Sequence, residues 1–160
     1  MSKKIVTFFS ASGVTARLAK TIAQAADAEL YEIRPAQPYT SADLNWMDRK
    51  SRSTVEMKDE SCRPALADTS APVAEADVVF VGFPIWWGRE PSVVDTFLDA
   101  YDFTGKTVVV YATSGGSRMG KTASRIQGIL GKDTKVVDGK VLRSGSSVRD
   151  MEKWLKDLGV

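Results

Sequence analysis

Short apolar runs alternate with helical patterns along almost the whole chain. Five runs have the length and composition of buried strands, and they cover residues 4–9, 29–34, 78–83, 107–112 and 135–137, with a possible extension of the last to 142. Amphipathic helical spacing covers residues 13–26, 92–101, 121–130 and 148–158. Because strands that alternate with helices form a mostly parallel sheet covered on both faces, the sequence predicts an α/β, three-layer, doubly wound domain over residues 1–160.

One long connection, residues 35–72, breaks this alternation. It is polar, charged and bracketed by prolines. Its middle, residues 41–59, has the spacing of a helix that starts at Thr40 or Ser41 and turns Leu44 and Met47 inward. A connection of this length that has secondary structure of its own often contributes to function.

Composition excludes several kinds of chemistry. The 160 residues contain no histidine and one cysteine, Cys62. Ser-His triads, cysteine zinc sites and an internal disulfide are therefore excluded. The net charge of +2 gives no indication of nucleic-acid binding, and no apolar stretch is long enough to span a bilayer. Without a signal-like segment we expect a cytoplasmic protein, whose redox or transfer chemistry comes from a cofactor or from backbone and carboxylate groups.

Three hydroxyl side chains, Ser10, Ser12 and Thr15, surround Gly13 in the loop after the first predicted strand. The first N–H groups of a helix have no internal partners, and the helix dipole favours negative charge there. No lysine or arginine lies in this loop. The pattern predicts a pocket for a terminal phosphate held mainly by neutral donors, in preference to an ordinary helix cap at Ser12.

Two adjacent tryptophans, Trp86 and Trp87, follow the third predicted strand between Pro84 and Pro91. Neighbouring residues of an extended chain point in opposite directions, so at least one indole should be exposed or face a ligand. An indole suits stacking on a planar aromatic ligand, and Gly88 lets the backbone approach it closely. We favour this over one indole in the core and one on the surface, because ligands of open α/β sheets bind at this end of the strands.

The loop after the fourth predicted strand, residues 113–120, consists largely of small and hydroxyl residues. Its N–H groups can line the polar edge of a ring, unless it is a plain flexible loop. Residues 115–122 also match the G-x-x-x-x-G-K-[ST] phosphate loop of nucleotide hydrolases. Such proteins normally build most of their sheet after that loop, whereas only about a quarter of this chain remains. A P-loop-type nucleotide-binding protein that uses residues 115–122 is therefore the alternative function.

The three loops together resemble those of the flavodoxin-like family, in particular its short-chain branch, over nearly the whole chain. The resemblance implies a five-stranded parallel sheet of order 2-1-3-4-5 and non-covalent FMN. It implies that the FMN phosphate is held by Ser10, Ser12, Gly13, Val14, Thr15 and Ala16. It implies that the isoalloxazine ring is flanked by Pro84, Ile85, Trp86, Trp87 and Gly88. The pyrimidine edge of the ring would then meet Thr113, Ser114, Gly115, Gly116 and Ser117.

The resemblance further implies an electron carrier or a small flavin reductase. The partners would be a redox protein, or NAD(P)H with a small acceptor such as a quinone. Two features depart from typical flavodoxins: the chain is not acidic, and its fourth-strand loop has no aromatic residue. The side chain that stacks on the isoalloxazine ring would then be Trp86 or Trp87 on one side, with Trp46 as a second wall.

Basic residues are expected near the flavin mouth. Arg89 lies in the loop after the third predicted strand and Arg118 in the loop after the fourth, and Arg49, Lys50 and Arg52 follow Trp46. A basic rim would suit an anionic partner or the phosphates of NADPH and favours an oxidoreductase, although an ordinary solvated face is the plain alternative.

Overall fold

A five-stranded parallel sheet forms the centre of the computed structural model, which describes residues 3–160. Its strands are β1 (Lys4–Phe8), β2 (Glu29–Glu32), β3 (Val78–Pro84), β4 (Thr107–Thr113) and β5 (Lys135–Val141). They lie in the order β2-β1-β3-β4-β5, and all neighbouring pairs are parallel. The predicted fold class and strand order are confirmed, and β5 takes the longer of its two predicted extents.

Helices cover both faces of this sheet. The described residues contain α1 (Val14–Ala26), α2 (Arg52–Lys58), α3 (Ser92–Ala100), α4 (Thr122–Leu130), α5 (Val148–Leu158) and a short 3-10 helix (Val73–Glu75). One core lies between the sheet and α1 with α5, and the other includes residues of α3 and α4. The first six residues of β3 are buried, as expected for a central strand with helices on both sides.

A glycine and a tyrosine fix the packing of the three strands that carry the predicted site. The ring of Tyr111 on β4 lies over Gly82 on β3, where an added Cβ would stand 2.1 Å from a ring carbon. The Tyr111 hydroxyl donates to the carbonyl of Thr7 on β1 at 3.0 Å, and the Thr7 hydroxyl donates to the carbonyl of Phe80 at 2.7 Å. The carboxyl ends of β1, β3 and β4 are thereby held in a fixed relation.

The predicted helix over residues 41–59 is wrong except for α2. Residues 41–51 form successive turns, because polar side chains there bond nearby backbone N–H groups and compete with a helix. Asp43 and Thr40 exchange such bonds, and Asn45 accepts from the N–H of Met47. Met47 is 74% exposed, so its predicted inward orientation is also wrong, whereas Leu44 is partly buried.

Candidate functional site

The three predicted loops follow β1, β3 and β4, which are adjacent in the sheet. Parallel strands end at one edge, so the loops meet there. From β1 the chain leaves toward β2 on one side, while β3 lies on the other. This reversal of direction is where open α/β sheets bind their ligands.

The first loop leaves the amino end of α1 uncapped by any side chain of the described residues. Gly13 precedes the helix with a φ of 91°, a left-handed conformation that favours glycine. Its N–H donates to the Ser10 hydroxyl at 3.1 Å, which bends the loop. The Ser12 cap does not form, and the first N–H groups of α1 are left for another acceptor.

The six first-loop residues differ in exposure. Thr15 is 1% exposed, and its hydroxyl lies 2.8 Å from that of Thr113 at the end of β4. The other five are partly or fully exposed, and they are Ser10, Ser12, Gly13, Val14 and Ala16. Thr15 therefore connects the first loop to the end of β4, while its neighbours present the open surface.

The second loop is a tight hairpin turn. Trp86 and Arg89 exchange backbone hydrogen bonds of 3.0 and 3.1 Å, and the central residues Trp87 and Gly88 both have positive φ. The Trp86 ring lies edge-on to Phe9 and Tyr39, with ring centroids 5.6 and 5.4 Å apart. Trp87 is 50% exposed. The two rings thus pack in the arrangement that the sequence analysis did not favour: Trp86 lies on the core and Trp87 at the surface.

Both indoles nevertheless line one cavity of about 380 Å³, the indole cavity. Its wall consists of Ala11, Ser12, Leu44, Trp46, Ser53, Ile85, Trp86 and Trp87. The wall includes residues of the first two loops and of the long connection, and Trp46, the expected second wall, is one of them. The prediction missed Ser53, since nothing in that polar stretch distinguishes it from its hydroxyl neighbours.

The loop after β4 lies beside this cavity but not in its wall. The Ser114 hydroxyl accepts from the N–H groups of Gly116 at 3.1 Å and Ser117 at 2.7 Å, so residues 115–117 turn outward and are exposed. Thr113 and Ser114 line a separate cleft of about 720 Å³ with Val14 and the loop after β5. The third predicted loop is thus joined to the first through Val14 and the Thr15–Thr113 bond.

The nucleotide-hydrolase alternative finds no support at Thr122. In a phosphate loop this hydroxyl would face the bound magnesium ion. Here Thr122 is 1% exposed, and its hydroxyl donates to the carbonyl of Gly88 at 3.4 Å. The residue serves to hold α4 against the tryptophan hairpin.

The expected basic rim is wrong for two arginines. Arg89 is 8% exposed and donates to the carbonyl of Met57 at 3.0 Å, beneath the hairpin. The Arg52 guanidinium stacks 3.9 Å from the ring centroid of Tyr39 and pairs with Glu56 at 3.0 Å. Both guanidinium groups therefore bond partners within the fold and do not form part of an exposed rim.

Arg89 belongs to a buried charge network under the hairpin. The carboxylates of Glu90 and Asp95 are fully buried, and Arg125 pairs with them at 2.7 and 3.1 Å. Burial, together with the nearby Asp95, raises the pKa of Glu90 to about 7. Burial also raises the pKa of Asp95. The network connects the hairpin to α3 through Asp95 and to α4 through Arg125.

The described residues contain neither a membrane-spanning helix nor a metal-binding cluster. No helix within residues 3–160 is both long and apolar enough to cross a membrane. The same residues contain no cluster of three or more His, Cys, Asp or Glu side chains placed to hold a metal ion.

Comparison with known proteins gives a family match over nearly the whole chain. The family model described as Flavodoxin matches residues 3–158. No curated protein matches the chain. The chain therefore belongs to the flavodoxin family, and the resemblance inferred from the loops is confirmed.

Solved structures of similar proteins agree with this assignment. A candidate flavoprotein from Bacteroides eggerthii is 41% identical, with 100% of this chain and 99% of that one covered and a TM-score of 0.92. Another from Bacteroides uniformis is 43% identical, with 97% and 98% covered and a TM-score of 0.89. A flavoprotein from Lactobacillus acidophilus, solved in complex with FMN, is 21% identical, with 96% and 99% covered and a TM-score of 0.71. The last likeness shows the fold alone.

Proposed function

We propose that this flavodoxin-family protein binds FMN non-covalently and uses it to carry electrons or to reduce small acceptors. The observation that carries the proposal is an uncapped helix start beside a cavity lined by three indoles. One end offers free N–H donors to an anion, and the other offers flat apolar surface. FMN has a phosphate at one end and a planar ring at the other.

The residues present fit this cofactor. The cavity volume of about 380 Å³ lies within the range of small-ligand sites. The phosphate would lie at Gly13–Thr15, and the ring would lie against Trp86, Trp87 and Trp46. FMN supplies the redox chemistry when bound, while these residues bind it, orient it and exclude water from one side. FMN also agrees with the family match and with the complex of the Lactobacillus neighbour.

The electron partners belong to the same proposal. Arg49, Lys50 and Arg118 are exposed; the first two follow Trp46 in sequence, and Arg118 lies in the β4 loop. Exposed cations favour either an acidic redox protein or the phosphates of NAD(P)H, followed by transfer to a small acceptor. We include a cytoplasmic location, because a chain with a single cysteine cannot form the internal disulfides that are typical of oxidising compartments.

Two measurements test the proposal. The purified protein should be yellow, with a flavin absorption spectrum, and the cofactor released on denaturation should be FMN. A protein that purifies colourless and does not take up added FMN would refute the function. Steady-state NAD(P)H oxidation by the isolated protein then separates the two roles, because sustained turnover without a partner protein excludes a pure carrier.

A further inference from the structure

Ser53 is a buried hydroxyl without a partner in the wall of the indole cavity. It is 1% exposed, and its Oγ makes no hydrogen bond. The neighbouring hydroxyls of Ser51 and Thr54 bond each other at 2.8 Å. Ser53 is therefore the one unsatisfied hydroxyl of this short stretch, all of which the structure describes.

A buried hydroxyl that makes no hydrogen bond destabilises a folded protein, so native structures rarely keep one without a reason. The surrounding wall is largely apolar, since Leu44, Ile85 and three indoles form most of it. The other hydroxyl in the wall, that of Ser12, belongs to an exposed residue. The oxygen itself is covered, but a serine side chain can turn among its staggered positions, and such a rotation would bring the Oγ toward a molecule that fills the cavity.

The backbone around Ser53 is held in place on two sides. Its N–H donates to the carbonyl of Asp43 at 3.0 Å. The carbonyl of Met57 at the other end of α2 accepts from Arg89 at 3.0 Å, which ties the helix to the tryptophan hairpin. The backbone of Ser53 is therefore held in place relative to Trp86 and Trp87 before any ligand binds, while its side chain keeps the freedom to rotate.

We propose that Ser53 hydrogen-bonds a ring nitrogen or carbonyl oxygen of the isoalloxazine and so sets the affinity and reduction potential of the flavin. This inference rests on the proposed FMN function. It adds a polar contact to the connection between β2 and β3, which already supplies Trp46 to the proposed flavin site. It also gives a reason why that connection folds across the hairpin.

The test uses the full-length protein with Ser53→Ala, and Thr54→Val as the matched control. Without FMN, Ser53→Ala should be as stable as the wild type or more stable, because it removes a polar group that has no partner. With FMN, its dissociation constant should rise about 3- to 10-fold, the loss of one hydrogen bond. Thr54→Val should show the opposite pattern, a less stable apoprotein with unchanged FMN affinity, since its hydroxyl is bonded to Ser51.

The reduction potential separates the ring from the rest of the cofactor. A hydrogen bond to the ring differs in strength between oxidation states, so Ser53→Ala should shift the two-electron midpoint potential, by about 30 mV for a tenfold differential effect. An affinity loss with no shift would place the hydroxyl on the ribityl chain or phosphate and overturn the proposal. Unchanged affinity and potential would also overturn it. If the wild type does not bind FMN, the proposed function itself fails, which is a distinguishable result.

Discussion

The hydroxyls of Thr15 and Thr113 lie 2.8 Å apart and form a buried hydrogen bond between the start of α1 and the end of β4. The two residues are 1% and 4% exposed. They are 98 positions apart in the chain, yet their bond sets where the first loop stands relative to the loop after β4. Thr15, a predicted phosphate-binding residue, thus also bonds Thr113, and nothing in the sequence near either residue indicates this contact.

Thr15→Val should weaken FMN binding by about 1.5–3 kcal/mol, roughly 10- to 150-fold, because the proposed site gives its hydroxyl a charge-assisted hydrogen bond to the phosphate. Gly13→Val should weaken it at least as strongly, because a β-branched residue cannot hold a φ of 91° without strain. Titration of the apoprotein with FMN, followed by the quenching of flavin fluorescence, measures both changes.

Lys121→Ala is the control that separates the flavin site from the phosphate-loop alternative. Lys121 is exposed at the end of the β4 loop. Its removal should leave the affinity for FMN within about twofold, since the proposed phosphate site holds no lysine. Loss of FMN in this variant together with unchanged binding in Thr15→Val would reverse the assignment of the two loops.

The adjacent tryptophans should separate stability from cofactor binding. Trp86→Ala removes an edge-on contact with Phe9 and Tyr39 and should lower the free energy of unfolding of the apoprotein by about 3 kcal/mol. Trp87→Ala removes a ring that is 50% exposed, and should change apoprotein stability by under about 1 kcal/mol while weakening FMN binding. Urea denaturation of the apoproteins and FMN titration check this prediction. It would be contradicted if Trp86→Ala and Trp87→Ala lowered apoprotein stability by the same amount.

The raised pKa of Glu90 predicts that stability falls as pH increases. The ordinary pKa of 4.5 is raised to about 7 in the folded protein. Between these values the native state keeps a proton that the unfolded chain has released, so the free energy of unfolding declines from about pH 4.5 to pH 7. The decline attributable to Glu90 is at most about 3 kcal/mol. Glu90→Gln should flatten this part of the curve.

Glu60→Gln is the matched control for that curve. The Glu60 side chain is 71% exposed and pairs with Arg125, the same arginine that holds Glu90, at 3.4 Å. An exposed pair contributes at most about 1 kcal/mol, so this variant should keep the pH dependence of the wild type. Parallel curves for wild type and Glu90→Gln would show that folding leaves the pKa of Glu90 unshifted and would contradict the prediction.

Gly82→Ala should destabilise the sheet strongly. The new methyl group would lie 2.1 Å from the Tyr111 ring, which is fully buried and cannot move aside without disturbing three strands. We expect a loss of about 3 kcal/mol or more, measured by urea denaturation. Gly128→Ala in α4 meets no atom within 4 Å and should instead stabilise by about 0.5–1 kcal/mol. A mild effect at Gly82 would contradict the tight packing.

The sequence predicted the elements with strong periodicity well. Strands β1, β3 and β4 and helices α1 and α5 were predicted because their hydrophobic periodicity is visible within a short stretch of sequence. It failed at residues 41–51, where Thr40, Asp43 and Asn45 bond nearby backbone groups in turns instead of supporting a helix. It also failed at Arg89, since nothing near this residue in the chain shows that Met57 and Asp95 lie beside it.

By itself, the sequence determined the alternation of strands and helices and the loops at the ends of β1, β3 and β4, because apolar period and turn residues are local properties. The flavodoxin class follows from these loops as a set. Only the tertiary structure decided which side chains face the cavity: Trp86 rests on Phe9, Trp87 is open, and Ser53 lies in the wall without a partner. These outcomes depend on contacts between segments far apart in the chain, which no local pattern contains.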